Sequence, residues 1–245
     1  MTTWLPYCGP GALPFEVWSR WNLDPLLLAG LAVLTGVVIL ATRGDARARL
    51  FGLGAVVALV ISFVSPLCAL SSALFAARTV HHVVLAAVAA PLLAWSLRPL
   101  QRAQGAARMI GVFGFAVLFW AWHTPAAYGW ALSNDAVYWL MQATLLVTAT
   151  VFWMSVRVAS APAAVLGLLI TMVQTGLLGA LLVFMRDAIY APHWLTTAAW
   201  GLTPLEDQQL AGLIMWAPAA GVYLGAALLI LGRSIGPDAR EARTA

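Results

Sequence analysis

"TVHHVVLAAVAAPLLAWSLRP", residues 79–99, decides the fold. Two adjacent histidines, His81 and His82, head an apolar run that closes at Arg98 and Pro99. The run approaches the roughly 20 residues that a helix needs to cross the hydrocarbon of a bilayer. Lipid offers a backbone no hydrogen-bond partners, so a spanning segment must satisfy its own amides, and a helix does that.

Six other stretches read the same way. With the first, the candidate spans lie near residues 25–41, 50–70, 79–97, 109–123, 135–156, 163–185 and 207–232. Composition agrees. Of 245 residues, 62% are hydrophobic and only 9% charged, with a mean hydropathy of +0.90. Soluble domains carry roughly 25% charged residues, too many to match this chain. The expected fold is all-α: a polytopic membrane protein with a seven-transmembrane-helix bundle at residues 25–233. An outer tail (1–24) and a cytoplasmic tail (234–245) flank it. The first basic residue is Arg20, and no charged segment followed by an apolar core precedes it, so no cleavable signal peptide is expected. The segment "GVYLG", with Gly221 and Gly225, offers a small-xxx-small helix-packing pattern.

All thirteen basic residues are arginine. Ten fall on one side of these spans: Arg43, Arg47, Arg49, Arg98, Arg102, Arg108, Arg157, Arg233, Arg240 and Arg243. Arg20, Arg78 and Arg186 fall on the other. The positive-inside rule then places the N-terminus outside and the C-terminus in the cytoplasm. The basic charge thus reports orientation, and no patch suited to nucleic acid accompanies it.

On that topology the metal-binding side chains share one side. His81 and His82 head the third span, His123 ends the fourth in "FWAWHTP", and His193 lies in the last outer loop. Cys8 sits in the outer tail and Cys68 at the outer end of the second span. Met185 ends the sixth span, while Met141 and Met215 lie about two turns inside the fifth and seventh. Thiolate, thioether and imidazole together suit Cu(I). Polar groups also collect at helix ends for want of anywhere better, so interfacial histidines, an ordinary loop role for His193 and methionines as filler are the plain alternatives. Adjacent helical residues point about 100° apart, so only one of His81 and His82 faces squarely into a bundle. Arg78 lies one turn before both, either lining the site or snorkelling to headgroups. The two cysteines read equally as ligands or as one disulfide. Glu206 and Asp207 complement the dipole of the last span. Gln142, Gln174, Gln208 and Gln209 are amides available for bonds between helices.

"HHVVLAAVAAPLLAW", "FWAWHTPAAYGWAL", "FWMSV" and "WGLTPLEDQQLAGLIMWAPAAGVYL" together resemble the CtaG-type family of cytochrome c oxidase assembly factors, from about residue 50 onward. The resemblance implies a non-enzymatic role in the plasma membrane, helping to assemble a haem–copper oxidase by supplying copper, as Cu(I), to its catalytic centre. The partners would be oxidase subunits, a copper-donor protein and membrane lipid. His82, His123 and Asp207 match the family pattern. Arg78, Tyr138 and Gln142 stand where it commonly has histidine. The metal candidates are therefore His82, His123, Cys68, Cys8 and His81, with Arg78, Asp207, Met185 and Met141 in support. The rival readings are a copper- or haem-binding transport or electron-transfer subunit and a metal-free scaffold.

Overall fold

The computed structural model describes residues 4–97 and 106–235. Arg98, Arg102, Arg240, Arg243 and most of the cytoplasmic tail expected from the sequence lie outside the described residues. Every regular element among the described residues is a helix. Among the described residues, five helices are long and apolar enough to cross a membrane: Ala46–Phe63, Phe75–Ser96, Asp135–Val158, Ala161–Phe184 and Pro204–Ile235. Two shorter apolar helices, Pro25–Ala41 and Phe113–Trp122, occupy the places expected for the first and fourth spans.

In chain order α1 is Pro25–Ala41, α2 Ala46–Phe63, α3 Leu67–Ala73 and α4 Phe75–Val84. A π-helical turn, Leu85–Ala89, joins α4 to α5, Ala90–Ser96. Next come α6 (Ala106–Trp122), α7 (Pro125–Ala131), α8 (Asp135–Val158), α9 (Ala161–Phe184) and α10 (Pro204–Ile214). A second π turn, Met215–Ala219, joins α10 to α11, Ala220–Ile235.

The helix starts follow local chemistry. Asp24 accepts bonds from the Leu26 and Leu27 amides, with Pro25 at the first helical position of α1. Asp45 caps α2 and Asn134 caps α8 in the same way. The second span ends at Phe63 rather than near residue 70. Pro66 has no amide hydrogen to continue the ladder, and α3 restarts after it as a separate turn of chain.

Outward-facing Val33, Val173 and Leu229 are each more than 60% exposed. Side chains of that kind along whole helix faces suit contact with lipid. Inside, Phe115, Phe152, Leu145 and Leu168 form the centre of one core. The helices approach closely at Gly179 of α9 and Gly212 of α10, where a Cβ on either residue would meet the other's carbonyl oxygen at 2.7 or 2.6 Å. The "GVYLG" pattern has no such role, because a Cβ at Gly221 or Gly225 would meet open space.

Candidate functional site

The side chains of interest gather around the first turns of α4. Leu74 is extended, which breaks the chain from α3 and leaves the first amides of α4 without carbonyl partners. Asp207 of α10 supplies them from across the bundle. Its Oδ2 accepts from the Phe75 amide at 2.7 Å and its Oδ1 from the Ala76 amide at 3.0 Å. A buried carboxylate at the positive end of a helix is favourably placed. The sequence pointed Asp207 at its own helix, but there the capping belongs to Glu206, which forms a reciprocal capping box with Thr203.

One turn further along, Arg78 is fully buried. It neither snorkels nor lies in a connection. Its Nη1 donates to the Tyr138 hydroxyl at 3.5 Å, and its guanidinium carbon lies 5.3 Å from the centre of that ring. Nε and Nη2 have no hydrogen-bond partner. No carboxylate makes an ion pair with it among the described residues. A buried unpaired cation is costly, and the ring face and hydroxyl of Tyr138 offset only part of that cost.

His193, expected to be an ordinary loop residue, is buried against this group. Its Nε2 lies 2.6 Å from the Tyr128 hydroxyl. Burial, helped by the Arg78 charge, pulls its pKa down to about 3, so the ring is neutral at physiological pH. Burial likewise raises the Tyr128 and Tyr190 hydroxyls, and that of Tyr7 to about 12. Tyr190 stacks on Phe75 at 3.9 Å and donates to the His123 carbonyl at 2.7 Å. The loop after α9 thus closes over this end of the bundle. These tyrosines are the part of the site that sequence reasoning missed. Each stands alone in its stretch, Tyr128 in "HTPAAYGWAL" and Tyr190 in "RDAIYAPHW", so no local pattern marks them.

The adjacent histidines part company as helix geometry requires. His81 is fully buried edge-on to Phe63 of α2, with centroids 4.9 Å apart. His82 turns to His123, with ring centres 5.8 Å apart and planes at 81°. Neither nitrogen of His82 has a hydrogen-bond partner. Nδ1 of His123 lies 2.6 Å from the Phe119 carbonyl, so it carries the proton and leaves Nε2 with the lone pair. A backbone carbonyl holding one imidazole nitrogen is the usual way a protein aims the other at a metal.

His82 and His123 share the wall of a cavity of about 30 Å³, the space of roughly one water molecule. Ala86 and Ala87 of the first π turn line it, as do Met215 and Ala219 of the second. Both π turns have a proline cause. Pro91 follows the first and Pro218 lies inside the second. Each lacks an amide hydrogen and crowds the carbonyl four residues before it, and a wider turn relieves both problems. Such turns recur at functional sites.

The other candidates do not join this pair. Cys8 and Cys68 form a disulfide, with Cα atoms 5.3 Å apart, and while it is closed neither sulfur is a thiolate ligand. The bond ties the N-terminal tail to α3, and Tyr7 stacks on Tyr138 at 5.2 Å. Met141 is buried in the core and Met185 is half-buried at the end of α9; neither lines the cavity. Among the described residues no three His, Cys, Asp or Glu side chains are grouped to hold a metal. Of the amides, Gln174 accepts from Trp120 Nε1 at 3.0 Å. Gln208 and Gln209 tie α10 to the end of α9 and the loop beyond it.

The family model for the cytochrome c oxidase caa3 assembly factor (Caa3_CtaG) matches residues 32–235. The chain belongs to that family. The match begins earlier than the resemblance read from the motifs and takes in most of α1, all later spans and both π turns. No curated protein and no solved structure matches the chain. A caa3 assembly factor works with an oxidase, and apolar helices of this length suit a membrane.

Proposed function

We propose that this assembly factor carries Cu(I) as cargo on His82 and His123 and passes it to the copper centre of the oxidase under assembly. The observation that carries the reading is the histidine pair. Two imidazoles sharing one ion through bonds of about 2.0 Å have ring centres about 5–6 Å apart, and these lie 5.8 Å apart. Both nitrogens of His82 are without hydrogen-bond partners, and both rings line a cavity of atomic size. Burial without partners is costly for a polar ring, so the arrangement gains from a ligand.

The chain would cross the plasma membrane seven times, with α1 and α6 as the two shorter spans, the N-terminus outside and the C-terminus in the cytoplasm. The arginine distribution supports that orientation. So does the disulfide, which belongs on the oxidising side, at the same end as the histidines. A cytoplasm-only reporter should be active after Ala245 and silent at Ser133.

Anaerobic titration of the purified protein with Cu(I) against a coloured chelator tests the cargo reading. The wild type should take one equivalent, and His82→Ala and His123→Ala should each lose at least about tenfold in affinity. Unchanged binding in both variants would remove the histidine pair from the mechanism.

A further inference from the structure

Two imidazoles do not complete the usual three- or four-ligand shell. The cysteines are bonded to each other, and no third His, Cys, Asp or Glu joins the pair among the described residues. The wall of the cavity does hold one further soft donor. Met215 is buried, opens the second π turn, and lines the same space as His82 and His123.

The oxygen donors there are harder and in part already engaged. Thr175 Oγ1 donates to the Thr171 carbonyl at 2.9 Å. Tyr223 packs its ring flat on Trp153, with centroids 5.8 Å apart.

The position of Met215 is also fixed. A Cβ on Gly179 would lie 3.1 Å from the Met215 Cβ and 3.0 Å from the Trp216 amide nitrogen. Only glycine lets α9 approach this closely, and the approach holds the start of the π turn against the core. Across the cavity the first π turn presents Ala86 and Ala87, which leave room for an ion instead of filling it.

We propose that Met215 is the third, thioether ligand of a trigonal Cu(I) site with His82 and His123, built where the two π turns face each other. This rests on the cargo reading above and gives it a ligand set. Thioether with imidazole favours Cu(I) over Zn(II), because soft donors select the softer ion. All three ligands are neutral, so the ion keeps its single positive charge. Arg78 adds a second buried cation one turn away on α4. Both features favour handing the ion on over storing it. No electron moves and no covalent bond within the protein changes.

The test is X-ray absorption at the copper edge on the full-length protein, loaded anaerobically with Cu(I) in detergent or nanodiscs. The expected spectrum is three-coordinate, with two nitrogen scatterers and one sulfur. Met215→Leu conserves volume and should keep the thermal unfolding temperature within a few degrees. It should lose the sulfur scatterer and weaken Cu(I) binding about tenfold against the chelator. A copper-loaded wild type with no sulfur shell, or a Met215→Leu variant with unchanged spectrum and affinity, would overturn the assignment and leave the histidine pair standing. A wild type that takes up no Cu(I) would overturn the cargo reading itself.

Discussion

The cysteine pair and the histidine pair lie at the same end of one bundle and carry comparable promise as copper ligands, yet the fold treats them oppositely. Cys8 and Cys68 are used up on each other, and their bond holds the tail to α3. His82 has no hydrogen-bond partner, and His123 has one nitrogen anchored and the other left over. The difference teaches that residue type alone does not make a site. What matters is whether the surrounding structure has already used the donor's chemistry.

The largest effect expected is on the structural side of that contrast. Replacing both cysteines, Cys8→Ser with Cys68→Ser, should lower stability by about 2–4 kcal/mol, because the bond closes a loop across a separation of 60 residues. Copper stoichiometry should be unchanged. Chemical unfolding followed by metal analysis of the folded fraction checks both, and a loss of copper would erase the distinction between the pairs.

Asp207→Ala should cost about 1–3 kcal/mol, because it leaves the Phe75 and Ala76 amides buried and unpaired. Hydrogen exchange at those two amides should speed up while exchange in the middle of α9 does not. Equal exchange throughout would mean that the carboxylate does not hold the start of α4.

Arg78→Met should tighten Cu(I) binding by roughly thirtyfold. Two unit charges about 8 Å apart at an effective dielectric near 20 repel by about 2 kcal/mol. Stability should hold or rise, since an unpaired buried cation is removed. Weaker binding in this variant would show that the guanidinium supports the histidines and does not oppose the ion.

The smallest effect is a pH dependence. His193 has its pKa pulled down to about 3 in the folded protein, against 6.5 for the unperturbed ring. Between those values the unfolded chain binds the proton that the folded chain refuses. Stability from this group is therefore complete above about pH 6.5 and falls as pH drops toward 3. From pH 7 to pH 5.5 the wild type should lose about 1 kcal/mol more than His193→Gln, read as the shift in unfolding midpoint. Parallel curves would mean that the buried His193 takes up its proton freely.

Most of the fold was legible because lipid leaves a chain few choices. A long apolar run has to be helix, and α1, α8 and α9 lie within about two residues of where hydropathy put them. The early start of α4 was hidden, because the residue that stabilises that start is Asp207, more than 130 positions away. The split between His81 and His82 followed from helical geometry; the preference for His82 came from the family resemblance, in which it holds the place of a histidine. The burial of His193 could not be read. It depends on Tyr128 and Phe75, which only the folded loop brings alongside. For Arg78 the sequence left two readings open, lining the site or reaching for headgroups, because arginine near a helix end usually finds water; here Tyr138 and the stapled tail cover it.

The most direct measurement is the metal content of the oxidase itself. Cells making the oxidase alongside this protein should be compared for wild type, the His82→Ala/His123→Ala double variant and the Cys8→Ser/Cys68→Ser double variant, each at matched protein level. The purified oxidase should carry its haem in every case. Its copper should be full with wild type, near full with the cysteine variant, and strongly depleted with the histidine variant. An oxidase fully loaded with copper from cells carrying the histidine variant would contradict a role for His82 and His123 in copper supply.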